Sequence, residues 1–174
     1  MDNRKYPIGP FVIQETYSSD ELAQIIHRIE TIPAEYRRLV ENLSPDDLAK
    51  TYREGSWTVQ QLVHHVADIQ LLHYLRMKKA LTEPDYSEAT MIDMNAWAGT
   101  ADATTAPVDD SLLLFEGVHR RYAYLARSLD EKALAIRYSH PVRKIDFTQA
   151  QALAISIWHA EHHLAHIKLA LSTI

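Results

Sequence analysis

Apolar positions in this chain return at helical spacing, in four separate stretches. The first begins at Ser18-Ser19-Asp20-Glu21, where a serine and a glutamate three residues on can satisfy two free N–H groups at a helix start. Leu22, Ile25, Ile26, Ile29, Leu39, Val40 and Leu43 follow at intervals that predict an amphipathic helix. Pro33 has no N–H for the carbonyl one turn back, so the helix is expected to kink or divide there. Ser44-Pro45-Asp46-Asp47 predicts a short helical turn with proline at its first position. The second long stretch opens at Trp57, carries the capping pattern Thr58-Val59-Gln60-Gln61, and runs through Leu81 to a stop at Thr82-Glu83-Pro84-Asp85.

Residues 83–108 read as one long loop holding Met91, Asn95 and Trp97, then an Ala/Thr-rich run to Pro107. Loops of that length inside a domain are more often functional than idle. A third helix, capped by Asp109 or Asp110, carries Leu112, Leu113, Phe115, Val118, Tyr122, Leu125 and Leu129. Residues 136–147 suggest two short extended pieces around a turn. The last helix opens at Thr148-Gln149-Ala150-Gln151, a further capping box, and runs through Leu171. Residues 1–17, broken by Pro7, Gly9 and Pro10, form an irregular arm that is either loosely draped or packed on a neighbour. Four long helices without a convincing sheet predict an all-α four-helix bundle, a single domain over 1–174.

Composition narrows the chemistry by exclusion. A net charge of -5 offers no basic patch, so nucleic acid is a poor partner. With no cysteine there is no disulfide, thiolate ligand or Cys nucleophile. Four glycines form no phosphate loop or dinucleotide fingerprint. No apolar run approaches the ~20 residues of a bilayer span, and Met1–Pro7 lacks the apolar core of a signal peptide, so a cytoplasmic protein is expected. Ser56, Ser111, Ser128 and Ser156 lack a nucleophile elbow.

What remains is histidine. Four of the ten lie in Trp158-His159-Ala160-Glu161-His162-His163-Leu164-Ala165-His166. His159 and His163 share a helix face, one turn apart, and so do His162 and His166, so spacing does not choose between the pairs. Either pair can offer two nitrogens to a metal, or simply belong to an amphipathic helix with solvated or hydrogen-bonded histidines. Glu161 is off this face, so the segment is not a His-Glu-x-x-His protease helix. The second long helix adds His64, His65 and His73. His65 lies beside Leu62, Ile69 and Leu72, whereas His64 projects nearer Gln60 and Lys78. A lone histidine there is more often a buried, hydrogen-bonded residue than a ligand. Asp68 either orients a histidine or sits on a solvated face. Arg76 either meets a substrate anion or forms a surface salt bridge. Trp57, Tyr122 and Trp158 are expected in the core, and Trp97 there or on a pocket wall. Three neutral imidazoles would make an open site with a free position for water or substrate.

Several stretches carry a family resemblance. They are Tyr6-Pro7-Ile8-Gly9, the run Tyr52-Arg53-Glu54-Gly55-Ser56-Trp57-Thr58-Val59-Gln60-Gln61-Leu62-Val63-His64-His65-Val66-Ala67-Asp68, Tyr74-Leu75-Arg76, Ala80-Leu81-Thr82-Glu83, Tyr138-Ser139-His140-Pro141, and Trp158 through Ile167. With these the chain resembles the DinB-like superfamily, most closely its YfiT-type subgroup of metal-dependent hydrolases, which includes bacillithiol transferases. The resemblance implies an up-down-down-up bundle, usually a homodimer. It implies one zinc or nickel ion on His65, His159 and His163. His166 stands where many members of the wider superfamily have Gln, and His73 has no counterpart in the subgroup pattern. The implied function is a hydrolase that activates water, or a transferase that moves a low-molecular-weight thiol onto an electrophile. Arg76 and Arg53 are then candidate contacts for the thiol's carboxylates. A non-catalytic metal- or ligand-binding bundle is the remaining alternative.

Overall fold

The computed structural model describes residues 3–172; the arm's first two residues, Met1 and Asp2, lie outside the described residues. In chain order the elements are α1 (Ser19–Val40), α2 (Pro45–Leu48), α3 (Val59–Thr82), α4 (Met94–Ala98), α5 (Ala101–Thr105), α6 (Val108–Arg127), α7 (Glu131–Ala135), β1 (Arg137–His140), β2 (Ile145–Thr148) and α8 (Gln149–Ser172). Capping boxes start α1 at Ser18, α2 at Ser44 and α3 at Thr58. Thr148 and Gln151 exchange the same reciprocal bonds at the head of α8.

Cross-helix contacts give the directions. His64 meets Ser111 near the start of α6, and Tyr74 meets Tyr122 further along, so α3 and α6 run parallel. Arg37 pairs with Glu116 and Arg127 with Glu30, so α1 and α6 are antiparallel. His65 faces His159 and Gln70 faces Ser156, so α3 and α8 are antiparallel. The bundle is therefore up-down-down-up. Parallel α3 and α6 require the chain to travel back along the bundle between them. That need explains the length of segment 83–107.

That segment is not one unstructured loop. It contains α4 and α5, and Asp93 caps α4 through its side chain. Alanine-rich stretches of five residues are too short to show helical periodicity, which is why spacing misses them. The Ala98 carbonyl accepts from Gln61 and the Ala106 carbonyl from Gln60, fastening both short helices to α3. Helix α6 begins at Val108 with Pro107 as its cap residue, so Asp109 and Asp110 sit in the first turn rather than capping it. Their charge still favours a helix N-terminus. Helix α3 starts two residues later than expected, because Trp57 precedes its Thr58 cap.

Pro33 does not divide α1, which continues unbroken to Val40. The bond Pro33 cannot make is replaced from outside the helix. His119 Nδ1 donates to the Ile29 carbonyl at 2.5 Å, filling the acceptor the proline leaves open. The main core joins Ile29, Ile32, Tyr36, Leu62, Val66, Phe115, Tyr122, Leu153, Leu164 and Ile167 across the four long helices. A smaller cluster of Tyr138, Phe147, Ala152 and Ile155 seats the β1–β2 hairpin on α8. The arm is packed rather than loose. The Arg4 carbonyl accepts from His166, Phe11 packs on Trp158, and Gln14 accepts from Gln151, so the arm runs along α8.

Candidate metal centre

His65 and the pair on α8 meet where α3 and α8 cross. The Thr58 box sets the start of α3, and His65 follows two turns later. Gly55 takes φ 69°, a left-handed value that suits glycine, and the turn closes with Ser56 N–H donating to Arg53. This turn places Trp57 against the His65 ring, centroids 4.6 Å apart. On α8, Tyr36 from α1 donates to the Ala160 carbonyl at 2.6 Å, holding the backbone between the two histidines. The result brings one nitrogen from each of His65, His159 and His163 within 4.8 Å of one another. The Nε2 atoms of His65 and His159 confront each other at 3.3 Å.

Burial keeps these rings neutral. Desolvation lowers the His65 pKa to about 4. Desolvation, reinforced by neighbouring imidazoles, holds His159 and His163 well below the ordinary histidine value. At neutral pH each carries a lone pair rather than a second proton. For His163 the hydrogen-bond chain identifies which nitrogen. The Arg4 carbonyl, 3.1 Å from His166 Nε2, can only accept, so that nitrogen carries the hydrogen. Neutral His166 is then an acceptor at Nδ1, and His163 Nδ1–H donates to it across 3.3 Å. The His163 lone pair is left on Nε2. Tyr52 stacks on His166 at 3.9 Å between centroids and fixes its plane. Three neutral nitrogens without carboxylate or thiolate fit one borderline divalent cation and leave coordination positions open.

The family model for the DinB superfamily matches residues 28–167. The chain belongs to the DinB superfamily. It is 39% identical over 172 residues, covering 99% of this chain and 97% of the relative, to an Oceanobacillus iheyensis protein named for metal-dependent hydrolase activity. The solved structure of YfiT from Bacillus subtilis, described as a metal-dependent hydrolase with an unusual four-helix bundle topology, superposes with TM-score 0.91 at 36% identity, covering 95% of this chain and 94% of that one. A mycothiol-dependent maleylpyruvate isomerase superposes at TM-score 0.66 and 18% identity, covering 84% of this chain and 60% of that chain, a likeness of fold.

Within this DinB-superfamily bundle the other candidates separate cleanly. His64 is buried, but Ser111 and the Ala106 carbonyl occupy its two nitrogens at 2.7 and 3.2 Å, so it ties α3 to the start of α6. Asp68 is half-buried, its pKa raised to about 6 by desolvation and by the Asp102 charge, and among the described residues no hydrogen bond joins it to a histidine. Glu161 pairs with Arg28. Arg76 is no surface ion pair; it is buried and donates to the Thr90 carbonyl. His73 is buried with Nδ1 unpartnered, its ring 6.3 Å from that of His159. Trp97 is exposed, Tyr122 lies in the core, and Trp57 and Trp158 each line a cavity.

Two cavities flank the triad. One of ≈ 290 Å³ opens beside His163, between Lys5, Tyr52, Arg53, Trp57 and His162. The other, ≈ 90 Å³, lies beside His159, with Trp158 in its wall. Among the described residues no carboxylate lines either. Spacing gave no role to Lys5, and the Tyr6-Pro7-Ile8-Gly9 stretch marked a family likeness without saying which surface it meets, because an irregular arm has no periodicity. The stacking of Tyr52 on His166 was equally hidden. Among the described residues no helix is long and apolar enough to cross a membrane.

Proposed function

We propose that this chain is a metal-dependent enzyme, of the kind its relatives are named for, in which His65, His159 and His163 hold one divalent cation of the zinc or nickel type. The observation that carries this is three neutral, convergent imidazoles with cavities on both sides and, among the described residues, no fourth protein ligand. A closed structural site would present four protein ligands. When bound, the cation supplies Lewis-acid activation of a nucleophile. The chain's own residues do the rest. Lys5 and Arg53 make the mouth of the larger cavity cationic, which favours anionic substrates. Trp57 and Tyr52 wall it and limit water. The His162 pKa is lowered to about 4, chiefly by desolvation, so this ring is neutral and only weakly basic at pH 7.

The relatives' names favour hydrolysis, with water as nucleophile. A specific observation favours a thiol instead. Water attack profits from a positioned base, and among the described residues the two cavities offer no carboxylate and only feebly basic imidazoles. A thiol would need less help, since a cation held by His65, His159 and His163 would lower its pKa enough for solvent to take the proton. Two flanking cavities also suit two reactants better than one. The test is metal analysis of the purified protein followed by two assays, a thiol panel with monochlorobimane and a panel of activated esters without thiol. The expected result is one divalent ion per chain and thiol-dependent conjugation that vanishes in His163→Ala. Ester cleavage without thiol would return the site to hydrolysis. Bound metal with neither activity would make it a binding bundle.

A further inference from the structure

Three turns beyond His65 on the same face of α3 stands Arg76. It is 6% exposed. Its Nε and Nη2 both donate to the Thr90 carbonyl, at 3.0 and 2.7 Å, and Nη2 also touches Met91 Sδ at 3.6 Å. Among the described residues Nη1 has no hydrogen-bond partner. The titratable groups that act on Arg76 most strongly are Tyr138, Tyr86, Tyr122 and Arg143, and none of these is a carboxylate. A buried guanidinium without a counter-charge is costly, and side chains of this kind are normally paired. Arg76 lines the ≈ 90 Å³ cavity together with His73, Arg143, Trp158 and the candidate ligand His159. The remaining wall is aliphatic. Arg143 is exposed, on the turn between β1 and β2, where its N–H is held by His140 Nδ1 at 3.2 Å. A second, exposed cation therefore sits at the rim of the cavity that Arg76 lines.

We propose that this cavity is a carboxylate subsite. It takes the carboxylate of a small substrate whose carbon chain is short and apolar, with Arg76 Nη1 as the inner donor and Arg143 at the rim. One free guanidinium edge and one rim cation match a monoanion. A phosphate would want more donors than an aliphatic wall provides. A carboxylate seated here directs the other end of its molecule toward His159. That orientation rests on the proposed metal site; recognition of the carboxylate does not.

The test is calorimetric titration of sodium butyrate into the full chain after chelation, with butyramide as the uncharged control. Butyrate should saturate at about millimolar concentration, as expected for so few atoms. Butyramide should bind at least tenfold more weakly. Arg143→Gln, at an exposed position, should weaken butyrate several-fold, and Arg76→Met at least tenfold. If Arg76→Met loses its cooperative thermal transition, Arg143→Gln and the butyramide control decide. Equal binding of butyrate and butyramide, no saturation, or butyrate affinity unmoved by Arg143→Gln would overturn the proposal. Repeating the titration with 3-mercaptopropionate before and after metal loading identifies the source of the carboxylate. Tightening on loading assigns the subsite to a thiol reactant, and no change assigns it to the other reactant. A failed metal site would show as absent metal, with the butyrate result intact.

Discussion

The α1–α6 seam and the α3–α8 seam are built from similar residues and treat their polar groups differently. Between α1 and α6, Arg37 pairs with Glu116, Arg127 with Glu30, and His119 donates to Ile29. These charged pairs span the seam, and on α6 His119 Nε2 and Tyr122 OH are buried without a partner. Between α3 and α8, Gln70 and Ser156 exchange two bonds at 3.1 and 2.6 Å, and His65 Nε2 meets His159 Nε2 at 3.3 Å. His73 Nδ1, Trp158 Nε1, His159 Nδ1, His162 Nδ1 and Arg53 Nε are buried without partners, and every one of these residues lines one of the two cavities. Unpaired buried polar atoms cost stability, so a fold keeps them where something else uses them. One seam holds the bundle together; the other gathers the candidate metal ligands.

The largest test of that division is His163→Ala. Metal content measured on the purified variant should fall from one ion per chain to near zero, while the thermal transition stays cooperative. Stoichiometric metal in this variant would remove the basis for the site.

The opposite signature belongs to His119→Ala. It strands the Ile29 carbonyl beside Pro33 and empties a fully buried ring position. Chemical denaturation should show a loss of about 2–4 kcal/mol, with metal content unchanged. The same residue gives the seam a pH dependence. Desolvation pushes its pKa down to about 4, against an ordinary value near 6.5, with the bond to Ile29 opposing. The unfolded chain therefore takes up the proton first. This contribution is complete above about pH 6.5 and is lost as pH falls toward 4. Between pH 7 and pH 5 the wild type should lose about 2 kcal/mol more than His119→Gln. Parallel pH curves for the two proteins would contradict it.

His64→Ala asks whether being next to a ligand matters. His64 and His65 are adjacent and almost equally buried, at 5% and 4% exposure. His64 has both nitrogens occupied, so it should behave like the α1–α6 seam. The expected cost is about 1–3 kcal/mol of stability, with metal retained. Loss of metal comparable to His163→Ala would mean the wrong member of the pair was chosen.

How much of this the residues disclose in advance depends on periodicity. The four long helices, their capping boxes and the hairpin follow from spacing and from Ser, Thr, Glu and Gln at fixed offsets. Pro33 misleads because its missing bond is supplied by His119, from a helix far along the chain. Helices α4 and α5 are too short to repeat. For the site, spacing left His159/His163 and His162/His166 equivalent and preferred His65 over His64 only weakly. Family resemblance supplied the selection, and the geometry brings together the same three. Arg76 was expected at the surface because arginines usually are. Its burial follows from the return path of segment 83–107, which no local pattern encodes.

His166→Leu sharpens the comparison at its finest point. His166 is not among the convergent three. It holds His163 by accepting at Nδ1 while donating from Nε2 to the Arg4 carbonyl. Leucine removes the acceptor, and His163 is then free to place its hydrogen on Nε2, where the lone pair is needed. Metal affinity measured by competition with a chelator should weaken roughly 10–100-fold, the range typical of lost outer partners of metal-bound histidines. Glutamine can reproduce both bonds, its carbonyl accepting from His163 and its amide donating to Arg4. His166→Gln should therefore stay within a few-fold of wild type, although it removes the imidazole. A merely structural role would make both variants lose stability together and leave affinity unmoved. Equal loss of affinity in both would instead make His166 a ligand itself.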